Sequence, residues 1–277
     1  MSIFAGKSCV VTGGASGIGR ALARAMAQRG ATAVVADLDR SRAEQVAQEI
    51  RAAGGAAWPS EVDVVDPEAV QRTVDEVIER EGRIDYLFNN AGISLFGEVR
   101  DMTLEQWSRL FAVNVTGVVN GVAAAYPRMI AQGSGHIVNT ASMAGIVPTP
   151  GATAYAATKH AVVGLSTGLR GEAAAYGVKV SVFCPGLIDT PMKDALTYVN
   201  LDKDKMLTDP RVRLTSADKC AEVVLSGVER NRSIIPVTPL AWTSWLAYRL
   251  SPNFLSAALA RSMMGFARKH YSTRPSA

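Results

Sequence analysis

The chain has 277 residues, of which 48% are hydrophobic and 19% charged, a composition typical of a globular protein that buries one substantial core. Its formal net charge is +4, but the excess of positive charge lies near the C-terminus, and residues 1–230 carry about −2. The positive net charge is therefore no indication that the domain binds nucleic acid. No linker, charged block or internal repeat divides the sequence, which excludes a repeat array and predicts one domain at residues 1–238, followed by an extension at 239–277.

Apolar runs of strand length alternate with longer runs of helical period along the domain. The predicted strands are 8–11, 31–36, 56–62, 84–88, 136–140, 179–183 and 233–237. The predicted helices between them are 19–29, 42–53, 68–80, 104–130 and 152–176. This alternation predicts an α/β fold, a doubly wound parallel sheet whose ligands bind beyond the carboxyl ends of the strands.

A glycine-rich turn, TGGASGIG at residues 12–19, connects the first predicted strand to the first helix. Glycine permits the tight turn and lets backbone amides approach a pyrophosphate, and the helix N-terminus favours that anion. The spacing is GxxxGxG rather than the common GxGxxG, and such a turn alone is equally typical of a plain strand-to-helix connection. Its position between strand and helix favours dinucleotide binding.

Asp37 ends the second predicted strand, eighteen residues after Gly19. An acid at this place accepts hydrogen bonds from the adenosine ribose hydroxyls, and its charge repels a 2′-phosphate. The sequence therefore predicts NAD(H) rather than NADP(H). Two alternatives stay open: Asp37 is a helix cap or turn residue, or Arg40 or Arg42 compensates for its charge.

Tyr155 and Lys159 are four residues apart on a predicted helix, so both project from one face near its positive end. A nearby ammonium group favours phenolate, so we expect Lys159 to lower the pKa of Tyr155 from its usual value of about 10. Tyr155 can then exchange a proton with an alcohol or alkoxide in either direction of a hydride transfer. Taken singly, the two residues also have simpler interpretations. Tyr155 can be a half-buried tyrosine of a helix, and Lys159 can be a charged residue exposed to solvent.

Five short motifs occur in order along the chain: TGxxxGIG at 12–19, NNAG at 89–92, an asparagine at 114, a serine thirteen residues before YxxxK at 155–159, and PG at 185–186. Together they resemble the short-chain dehydrogenase/reductase family over most of the chain. The resemblance implies a Rossmann-like fold and an oxidoreductase that forms homodimers or homotetramers.

The resemblance also implies roles for individual residues. The implied catalytic residues are Asn114, Ser142, Tyr155 and Lys159. Ser142 would hold the substrate oxygen beside the Tyr155 hydroxyl, Lys159 would also contact the nicotinamide ribose, and Asn114 would hold a water. Besides Tyr155 and Lys159, the implied cofactor contacts are Gly13, Ser16, Gly17, Ile18, Gly19, Asp37, Leu38, Asp63, Val64, Asn90, Ala91, Gly92, Pro185, Gly186, Ile188 and Thr190.

Several of these residues have simpler interpretations when they are taken alone. Asn114 can be interpreted as a polar residue within a helix, where it either bends the helix or points to solvent. Asp63 can be interpreted as a loop cap, and Ser142 as a turn residue. His160, next to Lys159, lies on another side of the helix and is interpreted as structural or exposed. Their joint occurrence at the family's spacing favours the catalytic interpretation.

The segments expected to face the nicotinamide carry mostly apolar side chains, which favours a hydrophobic alcohol or ketone as substrate. These residues are Leu95, Phe96, Met143, Ile146, Val147, Leu187, Met192, Leu196 and Tyr198.

The cysteines Cys9, Cys184 and Cys220 are odd in number and widely spaced, so neither a disulfide framework nor a metal site is predicted. The N-terminal residues carry no signal-peptide pattern before the first strand. We therefore expect a cytoplasmic protein.

The extension predicts two short amphipathic helices that are too short and too charged to span a bilayer. No acidic residue follows residue 230, whereas six basic residues do: Arg232, Arg249, Arg261, Arg268, Lys269 and Arg274. The apolar stripes either pack on the domain or on another subunit, or they contact a membrane surface through residues 241–271. Apolar stripes of amphipathic helices most often pack against protein.

The sequence thus predicts an NAD-dependent oxidoreductase acting on a hydrophobic secondary alcohol or ketone. Two alternatives are an NADPH-dependent ketoacyl reductase of lipid metabolism, which Asp37 disfavours, and an NAD-sensing binding protein without turnover.

Overall fold

The structure is a computed structural model that describes residues 2–191, 197–202 and 214–269, with side chains as far as residue 265. Its centre is a seven-stranded sheet. In chain order these strands are β1 (Ser8–Thr12), β2 (Thr32–Asp37), β3 (Ala56–Glu61), β4 (Tyr86–Asn89), β6 (Gly135–Thr140), β7 (Val178–Cys184) and β11 (Ile234–Pro236). Four two-residue strands outside it are β5 (Leu95–Phe96), β8 (Ile188–Asp189), β9 (Thr197–Tyr198) and β10 (Thr215–Ser216).

The sheet order is β11-β7-β6-β4-β1-β2-β3, and all of its neighbouring strands are parallel. The chain therefore runs outward from β1 to β3 and then returns to the other side of β1 with β4. This reversal creates a topological switch point between β1 and β4, where open α/β sheets bind their ligands. The predicted doubly wound, Rossmann-like fold is confirmed.

Nine helices of α type flank and extend the sheet within the described residues. They are α1 (Gly17–Gln28), α2 (Arg40–Ala52), α3 (Pro67–Glu81), α4 (Leu104–Phe111), α5 (Gly117–Gln132), α6 (Thr153–Ala173), α7 (Ala217–Glu229), α8 (Pro239–Leu250) and α9 (Pro252–Lys269).

The helices cover both faces of the sheet, as the fold prediction requires. On one face α1 and α7 pack together over strand residues such as Val11 and Val35. On the other face α3, α5 and α6 cover strand residues that include Val10, Val34 and Ile137. Alternate residues of the central strands thus point to opposite cores, and both cores are apolar.

Side-chain caps set the starts of the helices that follow β2 and β3. Asp39 accepts a hydrogen bond from the Arg42 backbone N–H at 3.1 Å and so caps α2. Asp66 accepts from the backbone N–H groups of Glu68 and Ala69, and Pro67 occupies the first turn of α3.

The prediction of one helix over 104–130 is wrong in detail. A π-helical turn, Ala112–Thr116, separates α4 from α5 and contains Asn114. Among the described residues, the stretch Leu104–Gln132 alone has the length and hydropathy of a membrane-spanning helix. Core helices meet the same criteria, and α5 packs against α3 and the sheet.

Candidate active site

The glycine turn begins at the carboxyl end of β1 and leads directly into α1. Gly13 and Gly17 have φ angles of 63° and 51°, the left-handed region that favours glycine. Gly19 packs so closely on the Gly13 carbonyl oxygen that a side chain has no room there. Ser16 caps α1 without a side-chain hydrogen bond, so the first N–H groups of the helix lack a side-chain acceptor. This end of the helix fits the pyrophosphate of a dinucleotide.

Asp37 lies at the carboxyl end of β2 and holds the glycine turn. Its carboxylate accepts hydrogen bonds from the Ala15 N–H at 3.0 Å and from the Asp39 N–H at 3.2 Å. The cap of α2 is Asp39 rather than Asp37, and the Arg42 guanidinium pairs with Asp39 at 3.2 Å. The neighbouring Leu38 is exposed, as is expected of a residue available to a ligand.

Asp63 and Val64 follow β3, next to the end of β2. The Val62 N–H donates to the Asp37 carbonyl oxygen at 2.9 Å, which brings the two strand ends together. Asp63 is exposed and accepts a hydrogen bond from the Val65 N–H, so it makes the loop-cap contact that is the simpler interpretation. Val64 is buried beside Gly117.

Thr12 connects the glycine turn to the NNAG segment, a contact that the sequence pattern does not predict. Its hydroxyl oxygen accepts hydrogen bonds from the N–H groups of Asn90 at 2.9 Å and Ala91 at 3.0 Å. The Asn90 side chain donates to the Thr12 carbonyl oxygen at 3.0 Å. The threonine after an apolar strand, before GG, is a signal that would have indicated this contact.

The Asn114 side chain is completely buried at the π-helical turn. Its carboxamide oxygen accepts from the Ile93 N–H at 2.8 Å, and its nitrogen donates to the Ile93 carbonyl oxygen at 2.9 Å and to the Thr158 hydroxyl at 3.2 Å. The interpretation that Asn114 bends the helix fits the π turn. The alternative, that its side chain points to solvent, is wrong because the side chain is buried. Gly92 lies between Asn114 and Lys159, because a Cβ placed there would be 3.1 Å from Asn114 Oδ1 and 3.5 Å from Lys159 Nζ.

Ser142, Tyr155 and Lys159 meet at the carboxyl end of β6. Ser142 follows that strand by two residues, and its hydroxyl lies close enough to the Tyr155 phenol to act on the pKa of that group. Lys159 is buried, donates to the Thr140 carbonyl oxygen at 2.9 Å and places Nζ 5.7 Å from the centroid of the Tyr155 ring. His160 is exposed, which is one of the two interpretations that the sequence left open for it.

Burial controls the titration of this pair. It raises the pKa of Tyr155 to about 12, although the Ser142 hydroxyl acts in the opposite direction. It lowers the pKa of Lys159 to about 8, because the buried ammonium is poorly solvated. The prediction that the pKa of Tyr155 is lowered below its usual value is wrong for this structure, because desolvation is the largest cause of its shift.

The Pro185–Thr190 segment returns to the glycine turn from the end of β7. The Thr190 side chain lies over Gly17, where a Cβ would be 3.1 Å from it. The Pro185 carbonyl oxygen accepts from the Met143 N–H at 2.8 Å, next to Ser142. Gly186 packs on Thr238, and Ile188 pairs with Thr215 in a short ladder. The predicted nicotinamide and pyrophosphate contacts are therefore neighbours.

The apolar residues predicted to face the substrate divide into two groups. Leu95, Ile146 and Val147 are buried, and Leu95 belongs to a small core cluster against which Tyr155 packs. Phe96 and Tyr198 are half-buried and stack with their ring centroids 5.8 Å apart. Met143 is half-buried and Leu187 exposed. Met192 and Leu196 lie outside the described residues.

A groove of about 440 Å³ opens beside the glycine turn. Within the described part of the chain, its walls come from the turn, α1, α2, residues 189–191 and the start of α7. It therefore lies at the adenosine and pyrophosphate end of the predicted site and not at Tyr155.

Comparisons with known proteins agree with this geometry. A sequence model of the short chain dehydrogenases matches residues 7–199. The chain is 38% identical over 255 residues to the probable oxidoreductase EphD of Mycobacterium tuberculosis, covering 88% of this chain but 43% of EphD, and so spans less than half of that relative. It is 38% identical over 220 residues to the 3-oxoacyl-(acyl-carrier-protein) reductase FabG of Thermotoga maritima, covering 79% of this chain and 89% of FabG.

The fold also resembles solved structures. A short-chain dehydrogenase/reductase from Burkholderia phymatum, crystallised in complex with NAD, superposes with a TM-score of 0.81 at 29% identity, and the match covers 100% of both chains.

Proposed function

We infer the function from the premise that this chain belongs to the short-chain dehydrogenase/reductase family and is an oxidoreductase of that family that uses a nicotinamide cofactor. We propose that it transfers a hydride between NAD(H) and a hydrophobic secondary alcohol or ketone. The observation that carries the proposal is the meeting of Ser142, Tyr155 and Lys159 at the carboxyl end of β6, with Asn114 across Gly92.

The chemistry follows from what each side chain can do with a proton. Ser142 holds the substrate oxygen near the Tyr155 hydroxyl, to which it already lies close. Tyr155 removes the alcohol proton in oxidation and returns it in reduction. A bound nicotinamide cofactor supplies the hydride acceptor or donor.

Lys159 connects the phenol to the interior of the site. Its buried ammonium donates to the Thr140 carbonyl oxygen. Although burial keeps Tyr155 protonated before the reaction, this ammonium would stabilise the phenolate that forms when Tyr155 gives its proton to the substrate. Asn114 completes the set on the far side of Gly92, where the family resemblance assigns it a bound water.

The preference for NAD rests on Asp37, whose charge faces the glycine turn while the guanidinium of Arg42 is paired with Asp39. Replacing Asp37 with serine should raise the ratio of NADP to NAD in kcat/KM by roughly tenfold, since it removes the like charge near a 2′-phosphate. Steady-state rates with both cofactors measure the ratio, and Glu79→Ser, at an exposed position on α3, is the control. An unchanged ratio in Asp37→Ser would exclude this basis for NAD preference.

The apolar, half-buried pair Phe96 and Tyr198 supports a hydrophobic substrate. A second candidate is an NADPH-dependent ketoacyl reductase, which the similarity to FabG favours and Asp37 disfavours. Alcohols and ketones of increasing size, tested beside a ketoacyl thioester by the change in NADH or NADPH absorbance, separate the two.

The Tyr155→Phe variant tests whether the chain is an enzyme at all. Turnover should fall about a thousandfold while NAD binding, measured by calorimetry, is retained, because only the proton donor is lost. Tyr176→Phe, at an exposed position, is the control. Equal background rates in the wild type and Tyr155→Phe would favour a non-catalytic NAD-binding protein instead.

Two further proposals concern the protein as a whole. We place it in the cytoplasm, because its three cysteines are buried and unpaired, as suits a reducing compartment. We propose a homodimer or homotetramer on the basis of the family resemblance.

A further inference from the structure

The two C-terminal helices, α8 and α9, form a pair on the outside of the domain. On α8 only Ala241 is fully buried, and Trp245 packs on a core cluster that contains Ala141 and Val182. On α9, Leu255 and Leu259 are half-buried. Ala241 and Trp245 thus attach α8 to the domain, while other side chains of the pair are exposed in the described part of the chain.

Several large apolar side chains of the pair are exposed, and we call Trp242, Leu246, Leu250 and Phe254 the apolar face. Their exposed fractions are Trp242 46%, Leu246 42%, Leu250 78% and Phe254 74%. Single exposed apolar residues are ordinary, but a group of this size marks an interaction surface. Trp242, Leu246 and Leu250 are spaced four residues apart and therefore share one face of α8, and Phe254 follows on α9.

The charged side chains of the two helices have one sign. The exposed Arg249 and Arg261 are the only charged residues in 239–265, and the sequence has no acidic residue after Glu229. Arg249 stacks over the Trp245 ring at 5.3 Å, which keeps its guanidinium at the edge of the face. Apolar and aromatic side chains bordered by arginine match the boundary between acyl chains and anionic lipid headgroups.

The helix pair begins at the same sheet edge as the candidate active site. The Val237 N–H donates to the Cys184 carbonyl oxygen at 3.1 Å, and Thr238, which caps α8, packs against Gly186. Gly186 belongs to the segment predicted to contact the nicotinamide. A partner held by α8 therefore lies on the part of the domain that borders the site.

We propose that the apolar face docks on the surface of an anionic phospholipid bilayer, with α8 and α9 lying along the headgroup boundary. A second copy of this chain fits less well, because a symmetric contact between two such faces would bring arginines of like charge together. The proposal goes beyond the proposed function, since it does not depend on the reaction.

Sedimentation of the full-length protein with vesicles tests the proposal without substrate or cofactor. We expect binding to vesicles of phosphatidylcholine with phosphatidylglycerol and at least about tenfold weaker binding to phosphatidylcholine alone. Raising the salt from about 0.05 M to 0.5 M should weaken binding to the anionic vesicles severalfold, because it screens the arginines. Arg249→Gln should lower the partition coefficient by about fivefold, and Arg109→Gln, which removes an exposed charge on α4, is the control.

The double variant Trp242→Ser, Phe254→Ser should lower vesicle binding by at least about tenfold, because it removes the largest apolar side chains of the face. The matched control is Tyr176→Ser with Val99→Ser, whose side chains are 51% and 50% exposed elsewhere on the domain. Circular dichroism of each variant verifies that the fold is kept.

Three outcomes would overturn the proposal. One is no binding to anionic vesicles at low salt, and another is equal binding by the Trp242, Phe254 variant and its control. The third is a drop in the mass of a protein oligomer, by analytical ultracentrifugation, in the Trp242, Phe254 variant alone, which would assign the face to a second copy. Because none of these measurements uses turnover, their failure is distinct from failure of the proposed reaction.

Discussion

Tyr155 and Lys159 lie one turn apart on α6, yet burial shifts their pKa values in opposite senses, because a phenol becomes charged by losing a proton and an amine by gaining one. Burial therefore favours the neutral form of both. The resulting pKa values of about 12 and about 8 lie further apart than the usual values of about 10 and about 10.4. Residue pattern alone predicts the pair but not its protonation state.

His136 offers a test of burial at a residue outside the site. It lies on β6, hydrogen-bonds to the Ser181 hydroxyl at 2.8 Å and is buried, which lowers its pKa to about 3. Between about pH 3 and about pH 6.5 the folded state thus keeps the His136 ring neutral, whereas the ring takes up a proton in the unfolded chain. Its contribution to stability is fully present above about pH 6.5 and falls as the pH drops towards 3.

We expect the wild type to lose about 2 kcal/mol of unfolding free energy between pH 6.5 and pH 5 through this residue. In urea titrations, His136→Gln should be less stable near neutral pH but should lose less on acidification. His160→Gln, at an exposed position, is the control. An identical pH slope in His136→Gln and wild type would show that another group is responsible.

At the scale of elements, the π-helical turn between α4 and α5 is the feature that shapes the site. A π turn adds a residue to the helix and redirects a side chain, and such turns are frequent at functional sites. Here it turns Asn114 inward, where its carboxamide makes both hydrogen bonds to the Ile93 backbone. Thr158, its other partner, donates to the Tyr155 carbonyl oxygen at 2.7 Å, so the turn is connected to the catalytic helix.

Asn114→Ala should therefore lower kcat by about tenfold to a hundredfold, because it displaces the segment that faces Lys159. Stability should fall by about 1 to 3 kcal/mol from the unpaired Ile93 groups. The control is Thr103→Ala, which removes the capping box of α4 at a cost of about 1 kcal/mol. If Asn114→Ala and Thr103→Ala lower kcat equally, the loss of kcat in Asn114→Ala comes from lost stability alone.

On the scale of the whole molecule, the predicted cofactor site is assembled from segments far apart in the chain. The glycine turn, Asp37, the NNAG segment and Thr190 meet only because the sheet order reverses between β1 and β4. The unfolded chain cannot offer this site, so a ligand that binds it stabilises the native state by mass action.

We expect NAD at about a hundred times its dissociation constant to add about 2.7 kcal/mol to the free energy of unfolding. For a protein of this size the Tm should rise by roughly 5 °C or more, and differential scanning calorimetry measures it. Nicotinamide mononucleotide, which lacks the adenosine half, should shift it less. A Tm that does not respond to saturating NAD would contradict the cofactor assignment.

Much of the fold was predictable from the sequence, because strand and helix periods are local properties. The predicted strands agree with the observed ones to within about two residues, and Asp39 and Pro67 lie where caps and first turns are expected. The long helix at 104–130 was predicted as continuous, because the contacts that hold the π turn come from Ile93 and Thr158, outside the helix itself.

The sequence by itself determined the glycine turn, the acid at 37 and the Tyr155 and Lys159 pair, since each depends on spacing within one strand-to-helix turn or one helix. Only the tertiary structure decided how Thr12 and Thr140 contact the site, that burial raises the pKa of Tyr155, and that the apolar face of α8 is exposed. These properties depend on which distant segments pack together and on how much water they exclude, and neither quantity is encoded in a local pattern.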